Sequence, residues 1–294
     1  MRTGELGLGE VGIEGSRALR EILERSVAGS PVALYVTAEP LSWDVIRQGD
    51  WDLLGAAEHD GGAGASLRDL VEVARVWGHA IVPSPLLPTL MAKRWSASAR
   101  DCPGPVTVSV LTRSAGGRAR AAFADSPAVQ LLAETSGAGS VVTTEGGLPD
   151  DYAPSLRVAE VDICTEWTAD SAREMRVVWA AEATGCASRM LDDAVAYAKE
   201  RQQFGQPIGS FQAIKHHLAN ALILAEQAET AAILASLEPD QSLAASRFAF
   251  DASLQVIETA IQVHGGLGFT WEMGLHMYLR HVGALRELAA ALPA

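Results

Sequence analysis

The sequence is short of cysteine, of positive charge and of long apolar runs, and each shortage excludes something. Cys102, Cys164 and Cys186 are its only cysteines. Odd in number and scattered, they fit neither a disulfide framework nor metal-ligand spacing, and they read as reduced thiols of a cytoplasmic protein. Lysine and arginine total 23 against 36 aspartates and glutamates, a formal charge of −13 at pH 7. Such a chain lacks the basic face that a phosphate backbone or an anionic bilayer requires, so neither nucleic acid nor membrane is an expected partner. No uninterrupted apolar run approaches the roughly 18 residues that span a bilayer. The opening Met-Arg-Thr-Gly-Glu-Leu-Gly has no apolar signal core. Repeats and low-complexity tracts are absent.

What is present is a chain of 294 residues, 48% hydrophobic, long enough to bury a substantial core. Its periodicity changes twice. Helical spacing marks Glu14 to Ala28 through Leu19, Ile22, Leu23 and Val27. A short helix is expected around Trp43, Val45 and Ile46. Another follows from Ser66 as N-cap to Ile81, and Pro83-Ser-Pro85-Leu-Leu-Pro88 breaks it and leads into one more. Gly61-Gly62-Ala-Gly64 precedes no phosphate-binding strand–helix unit and reads as a loop-to-helix turn.

After Asp101-Cys-Pro103-Gly-Pro105 the pattern becomes short alternations: Val106 to Leu111, Val129 to Leu132, Ser140 to Thr144 and Leu156 to Val161. Glycine pairs at 116–117 and 146–147 suggest the turns between them. From Thr168 the chain is helical again. Asp170 or Ser171 is the expected cap of a helix to about Gln203, followed by helices over about 210–237, 240–263 and 271–290. The expected class is α+β, mostly α: a helical domain over 1–103, a small β-domain over 104–166 and a helical bundle over 167–294.

The stretch from Tyr197 to Ala219 organises the rest. It reads as a helix end, a tight connection punctuated by Gly205 and Pro207, and a new helix. Ser210 is the expected N-cap, with Ile214, Leu218 and Leu222 as one buried stripe. Arg201 and Phe204 fall at the helix end, where a planar guanidinium suits a phosphate or carboxylate. Spacing alone fits a surface salt bridge and a core aromatic as well.

Arg201-Gln-Gln-Phe204-Gly205-Gln-Pro207-Ile208 followed by Phe211-Gln212-Ala-Ile214 resembles the central signature of flavin-dependent acyl-CoA dehydrogenases. Gln262-Val-His-Gly265-Gly266-Leu-Gly268-Phe269-Thr-Trp-Glu272, with Tyr278-Leu279-Arg280 after it, resembles a second signature of that family. Leu54-Gly55 through Gly61-Gly62 to Ser66 is similar to the Gly-Gly turn of its N-terminal domain. The resemblance implies an α-domain, a small β-domain and a four-helix bundle, usually assembled as a tetramer. It implies that Arg201 contacts the pyrophosphate, and Phe204 the dinucleotide, of an FAD held in a neighbouring subunit. Gln212, Gln262, Gly265 and Gly266 are implied contacts of the same cofactor. A glycine pair lets backbone approach phosphate closely, although a pair at this place is also an ordinary helix C-cap.

The sequence departs from the family where the chemistry lies. The expected β-domain is short and has no counterpart to the aromatic-x-x-Thr-Glu and Trp-Ile-Thr-Asn strands that hold the flavin ring and thioester. α,β-Dehydrogenation needs a carboxylate within reach of the substrate Cα in a water-poor pocket. The position after the last glycine motif where most members carry it is matched by Ala289, with Glu287 two residues away. The other family position, before an arginine matching Arg176, is Met175, with Glu174 one residue off and about 100° around a helix. No metal ligand set is apparent.

The resemblance is closest to the shortened subunit of α2β2 acyl-CoA dehydrogenases of actinobacterial steroid side-chain degradation. It implies FAD shared with a full-length partner chain, an acyl-CoA substrate and electron-transferring flavoprotein as acceptor. A self-sufficient homo-oligomer using Glu287 or Glu174, and a flavin-free scaffold or regulatory protein, are the alternatives.

Overall fold

The computed structural model describes residues 6–26, 41–112, 118–136, 139–143 and 146–293. Among the described residues, six helices of more than ten residues dominate the N-terminal and C-terminal parts alongside shorter ones. In chain order the first helices are α1 (Glu10–Ser26), α2 (Trp43–Gln48), α3 (Leu67–Ala80), α4 (Leu86–Trp95) and α5 (Ala97–Asp101). Val27 and Ala28, and the Gly116-Gly117 turn, lie outside the described residues. Ser66 caps α3 as expected: its hydroxyl accepts from Asp69 N–H, and Asp69 accepts from the Ser66 N–H in return. Asp69 also accepts from Gly9 N–H at 2.7 Å, tying the chain before α1 to this helix.

The strands are β1 (Val106–Thr107), β2 (Ser109–Leu111), β3 (Ala119–Ala121), β4 (Gln130–Leu132), β5 (Val141–Val142) and β6 (Ala159–Val161). They form two sheets of three strands, ordered β1-β4-β5 and β2-β3-β6, and only the β1–β4 pairing is parallel. β3 was not anticipated, because Ala119-Arg-Ala121 carries no β-branched or aromatic side chain; its pairing on both edges determines its conformation. Thr165 joins the sheets. Its N–H donates to Ser109 Oγ at 2.8 Å and its hydroxyl to Leu132 O at 2.7 Å.

The long helix α6 (Ala169–Glu200) follows. Its cap is Thr168, with Ser171 as the reciprocal partner at the third helical position. The cap is therefore Thr168 rather than the expected Asp170 or Ser171, since both lie inside the helix and Ser171 serves the capping box from there. A hairpin of β7 (Gln202–Gln203) and β8 (Gln206–Pro207) leads to α7 (Gln212–Leu237), α8 (Ser242–His264) and α9 (Leu275–Ala291). Ser210 does not cap α7. It lies in a 3₁₀ turn and donates to Pro207 O at 2.6 Å, and Phe211 stands at the cap position.

α6 packs against α3, α7, α8 and α9. The crossing with α3 is close because both helices carry glycine there. A Cβ on Gly78 would lie 2.0 Å from Glu182 O, and one on Gly185 would lie 2.0 Å from Arg75 O. A buried polar link pins the β-region to the bundle. Ser155 Oγ lies 2.7 Å from His281 Nδ1, and His281 Nε2 lies 3.0 Å from Glu182 Oε1. The Lys93–Asp52 ion pair, 2.6 Å and buried, closes the N-terminal part.

α7 differs from the expected buried stripe. Ile214 and Leu218 are half-buried against the core, but Leu222 is 52% exposed and Ile223 58%. Among the described residues α7 is the one helix long and apolar enough to cross a bilayer by length and composition, although polar residues interrupt it; it packs on α6 and α8.

Candidate functional site

The motif at the end of α6 folds into a strained, protruding hairpin. Arg201 is the C-cap of α6, in extended backbone, and its N–H donates to Tyr197 O. Its side chain is exposed and has no hydrogen bond or ion pair among the described residues. Gln202 and Gln203 pair with Pro207 and Gln206, so Phe204 and Gly205 are the two residues of the turn. Both have positive φ, 53° and 79°, the signature of a primed hairpin turn that matches strand twist. Glycine adopts this region freely; phenylalanine does so at a cost of about 1–2 kcal/mol. Phe204 is nevertheless 92% exposed, touching Phe211 edge-on with ring centroids 6.0 Å apart. Neither the salt bridge nor the core aromatic that spacing also allowed is present.

The second motif closes α8. Gln262 is exposed in the last turn, and Gly265 follows His264 at φ 60° and ψ −140°, backbone that suits glycine. A Cβ on Gly265 or Gly266 would meet nothing within 4 Å. Packing within the chain therefore does not require glycine at 266; a closely approaching external group would. Gln212 is exposed at the first position of α7.

Tyr197 and His264 bring the two motifs together. Their rings stack at 4.4 Å with a 26° interplanar angle. Tyr197 lies one turn before Arg201, and His264 immediately precedes Gly265, so the stack fixes both motifs at one end of the bundle. Sequence reasoning passed over these two residues. Their signal was adjacency to the motif residues rather than any property of their own. Around this end the surface is apolar: Phe269 is 73% exposed and Trp271 54%. Trp271 tilts against His276 at 4.9 Å, and burial, with Arg280 nearby, pushes His276 below its ordinary pKa.

An exposed unpaired guanidinium, an aromatic ring held outward and a glycine pair facing open space suit a phosphate-bearing dinucleotide approaching from outside the chain. These residues fit the FAD contacts that the resemblance implies.

The carboxylates expected to be candidate bases are placed differently. Glu174, on α6, borders an open cleft of about 630 Å³ between the N-terminus of α3 and that of α6. Its oxygens accept from Arg94 Nε at 3.1 Å, Arg94 Nη2 at 3.3 Å and Trp95 Nε1 at 2.8 Å. A carboxylate held by a guanidinium fork and an indole is engaged in structure. Glu287 is half-exposed on α9, 4.0 Å from Arg120 Nη1. Met175 and Ala289, at the two positions that the resemblance assigns to the base, are buried apolar residues within α6 and α9. Helix α9 runs through Ala289 to Ala291, and Arg176 Nη2 donates to Pro293 O at 2.6 Å just beyond its end.

Comparison with known proteins agrees with the motifs. The profile of the family described as "Acyl-CoA dehydrogenase, C-terminal domain" matches residues 166–289. Acyl-CoA dehydrogenase IpdE2 of Mycobacterium tuberculosis is 33% identical over 302 residues, an alignment that covers 94% of this chain and 93% of IpdE2. Acyl-CoA dehydrogenase FadE34 of the same organism is 34% identical over 270 residues, covering 78% of this chain but only 37% of that longer relative. Among solved structures, a chain of the ChsE4-ChsE5 complex from Mycobacterium tuberculosis superposes with a TM-score of 0.76 at 18% identity, covering 97% of this chain and 94% of that one. A chain of the Tcur3481-Tcur3483 steroid ACAD G363A variant gives 0.75 at 20%, covering 94% and 93%. At those identities the structural likeness is one of fold. The chain has the acyl-CoA dehydrogenase fold, α+β and mostly α, and it belongs to the acyl-CoA dehydrogenase family of flavin-dependent oxidoreductases.

Proposed function

We propose that this chain is the cofactor-lending subunit of a two-chain acyl-CoA dehydrogenase. A homologous full-length partner holds the flavin ring and carries the glutamate base, in an α2β2 assembly. Arg201, Phe204, Gln212, Gln262, Gly265 and Gly266 contact the dinucleotide half of an FAD that the partner shares. One observation carries the reading: Phe204 stands 92% exposed in left-handed backbone beside an unpaired Arg201. A strained, solvent-facing aromatic is retained when something outside the chain uses it.

Bound FAD supplies the hydride acceptor for oxidation of an acyl-CoA thioester, and electron-transferring flavoprotein is the acceptor we assign to the reduced cofactor. The residues of this chain bind and orient. Arg201 presents a planar donor fork to pyrophosphate oxygens, and the Gly265-Gly266 backbone admits close approach. The ring of Phe204 covers the dinucleotide and excludes water. No residue of this chain removes the α-proton in this reading: Met175 and Ala289 carry no proton acceptor, Glu174 is committed to Arg94 and Trp95, and Glu287 lies half-exposed on α9 beside Arg120. The ChsE4-ChsE5 complex and the Tcur3481-Tcur3483 steroid ACAD support a paired assembly and a steroid-derived CoA ester, for which we propose a side-chain ester, as substrate.

The test is the visible spectrum of the chain purified alone and co-purified with a co-expressed full-length family member. The reading expects a colourless, inactive chain alone and a yellow, active complex. A yellow chain that dehydrogenates acyl-CoA unaided would return the function to a self-sufficient homo-oligomer.

A further inference from the structure

We infer that a pocket between α6, α8 and α9 receives an amphipathic carboxylate. The pocket has a volume of about 220 Å³. Arg176, Arg247, Arg286 and Asp251 supply its charge, and Leu243 and Phe250 contribute apolar wall.

The charges do not balance within the chain. Three guanidinium groups against one carboxylate leave a formal +2, in a chain whose net charge is −13. Arg286 Nη2 pairs with Asp251 Oδ1 at 2.9 Å, which accounts for that carboxylate. Arg247 is exposed and has no carboxylate partner among the described residues. Arg176 is only 4% exposed, and its hydrogen-bond partners are two carbonyls, Leu292 O at 3.4 Å and Pro293 O at 2.6 Å. Carbonyls at the end of α9 offset roughly half a charge. A buried guanidinium without a carboxylate is unfavourable, and its pKa reflects this: burial first, then the nearby Arg247, lowers it. An anion seated between Arg176 and Arg247 removes that penalty with planar, charge-assisted hydrogen bonds.

The wall selects the kind of anion. Inorganic phosphate would leave the half-buried Leu243 and the exposed Ala290 uncovered, whereas a carboxylate with a hydrocarbon body covers them. The site makes no use of the flavin motif, whose residues are absent from it. Its occupancy and the cofactor-sharing reading therefore stand or fall separately.

Isothermal titration of the purified chain with octanoate, inorganic phosphate and octanol tests this, with Arg247→Gln as the variant and circular dichroism as the fold control. Arg247 holds no described contact that the fold depends on, so the variant should fold normally. Octanoate is expected to bind the wild type at least about tenfold more tightly than phosphate or octanol, and Arg247→Gln to weaken it about tenfold, the loss of one charge-assisted contact. Absence of octanoate binding at millimolar concentration would overturn the inference. So would equal binding by octanol or phosphate, or undiminished octanoate binding in Arg247→Gln.

Discussion

Tyr197 stacks on His264 with ring centroids 4.4 Å apart, joining the end of α6 to the end of α8. His264 is further held by a 2.7 Å contact of Nδ1 with Ala260 O, so the half-buried tyrosine lies against a fixed surface. An aromatic pair of this kind is worth about 0.5–1.5 kcal/mol beyond its burial. A double-mutant cycle of Tyr197→Leu and His264→Leu, read by urea unfolding, is expected to give a coupling of that size. Additive effects would mean that the stack does not hold the two motifs together.

Phe204 is expected to behave as a residue kept at a cost to stability. Phe204→Gly removes left-handed strain of about 1–2 kcal/mol and forfeits an edge contact with Phe211 of about 0.5–1.5 kcal/mol. The unfolding free energy of the isolated chain should change by between about −0.5 and +1.5 kcal/mol, while flavin retention in the complex falls. A stability loss above about 1 kcal/mol would make Phe204 a structural residue.

Glu174→Gln addresses the carboxylate bordering the cleft. The substitution removes charge-assisted bonds to Arg94 and leaves a partly buried guanidinium short of its partner, a loss of about 1–3 kcal/mol. A lower melting temperature with unchanged kcat in the complex is the expected pair of results. Collapse of kcat at unchanged melting temperature would make Glu174 the base.

Cys186 gives a pH dependence of known sign. It is fully buried between α3 and α6, with Sγ 3.1 Å from Gly78 O, and burial pushes its thiol well above the ordinary value. Above about pH 8.5 the unfolded thiol ionises while the folded one keeps its proton. The folded state then binds more protons, so stability present below that pH is lost as pH rises, at about 1.4 kcal/mol per unit. Urea midpoints of the wild type and Cys186→Ala should converge between pH 7 and pH 10. A constant gap would contradict the assignment.

Much of this was legible in the sequence, and the reasons are specific. Ser66 as an N-cap announced α3, and Val- and Thr-rich, Gly-punctuated alternations announced the strands. Arg201, Phe204, Gln262 and Gly266 stood out only through the family resemblance of their motifs, since spacing alone fitted a surface salt bridge, a core aromatic and a helix C-cap equally. Ser210 misled because Ile208-Gly-Ser210 closes its own 3₁₀ turn before α7 begins. Leu222 misled because α7 carries apolar residues on more than one face, so a four-residue spacing did not identify the buried one. Long-range partners were invisible: nothing local tells Glu174 that Arg94 and Trp95 will reach it, or His281 that Ser155 and Glu182 will flank it.

The central claim is that Arg201 reaches an FAD held mainly by another chain. The most direct measurement is the flavin content of the co-purified complex carrying Arg201→Ala, with circular dichroism of the isolated chain as the fold control. Bidentate bonds from a guanidinium to phosphate oxygens are worth about 1.5–3 kcal/mol. The account predicts that the variant folds normally and that FAD affinity falls by about one to two orders of magnitude, with Arg201→Lys recovering only part. Unchanged flavin occupancy in Arg201→Ala would contradict it and leave Arg201 as an ordinary surface cation.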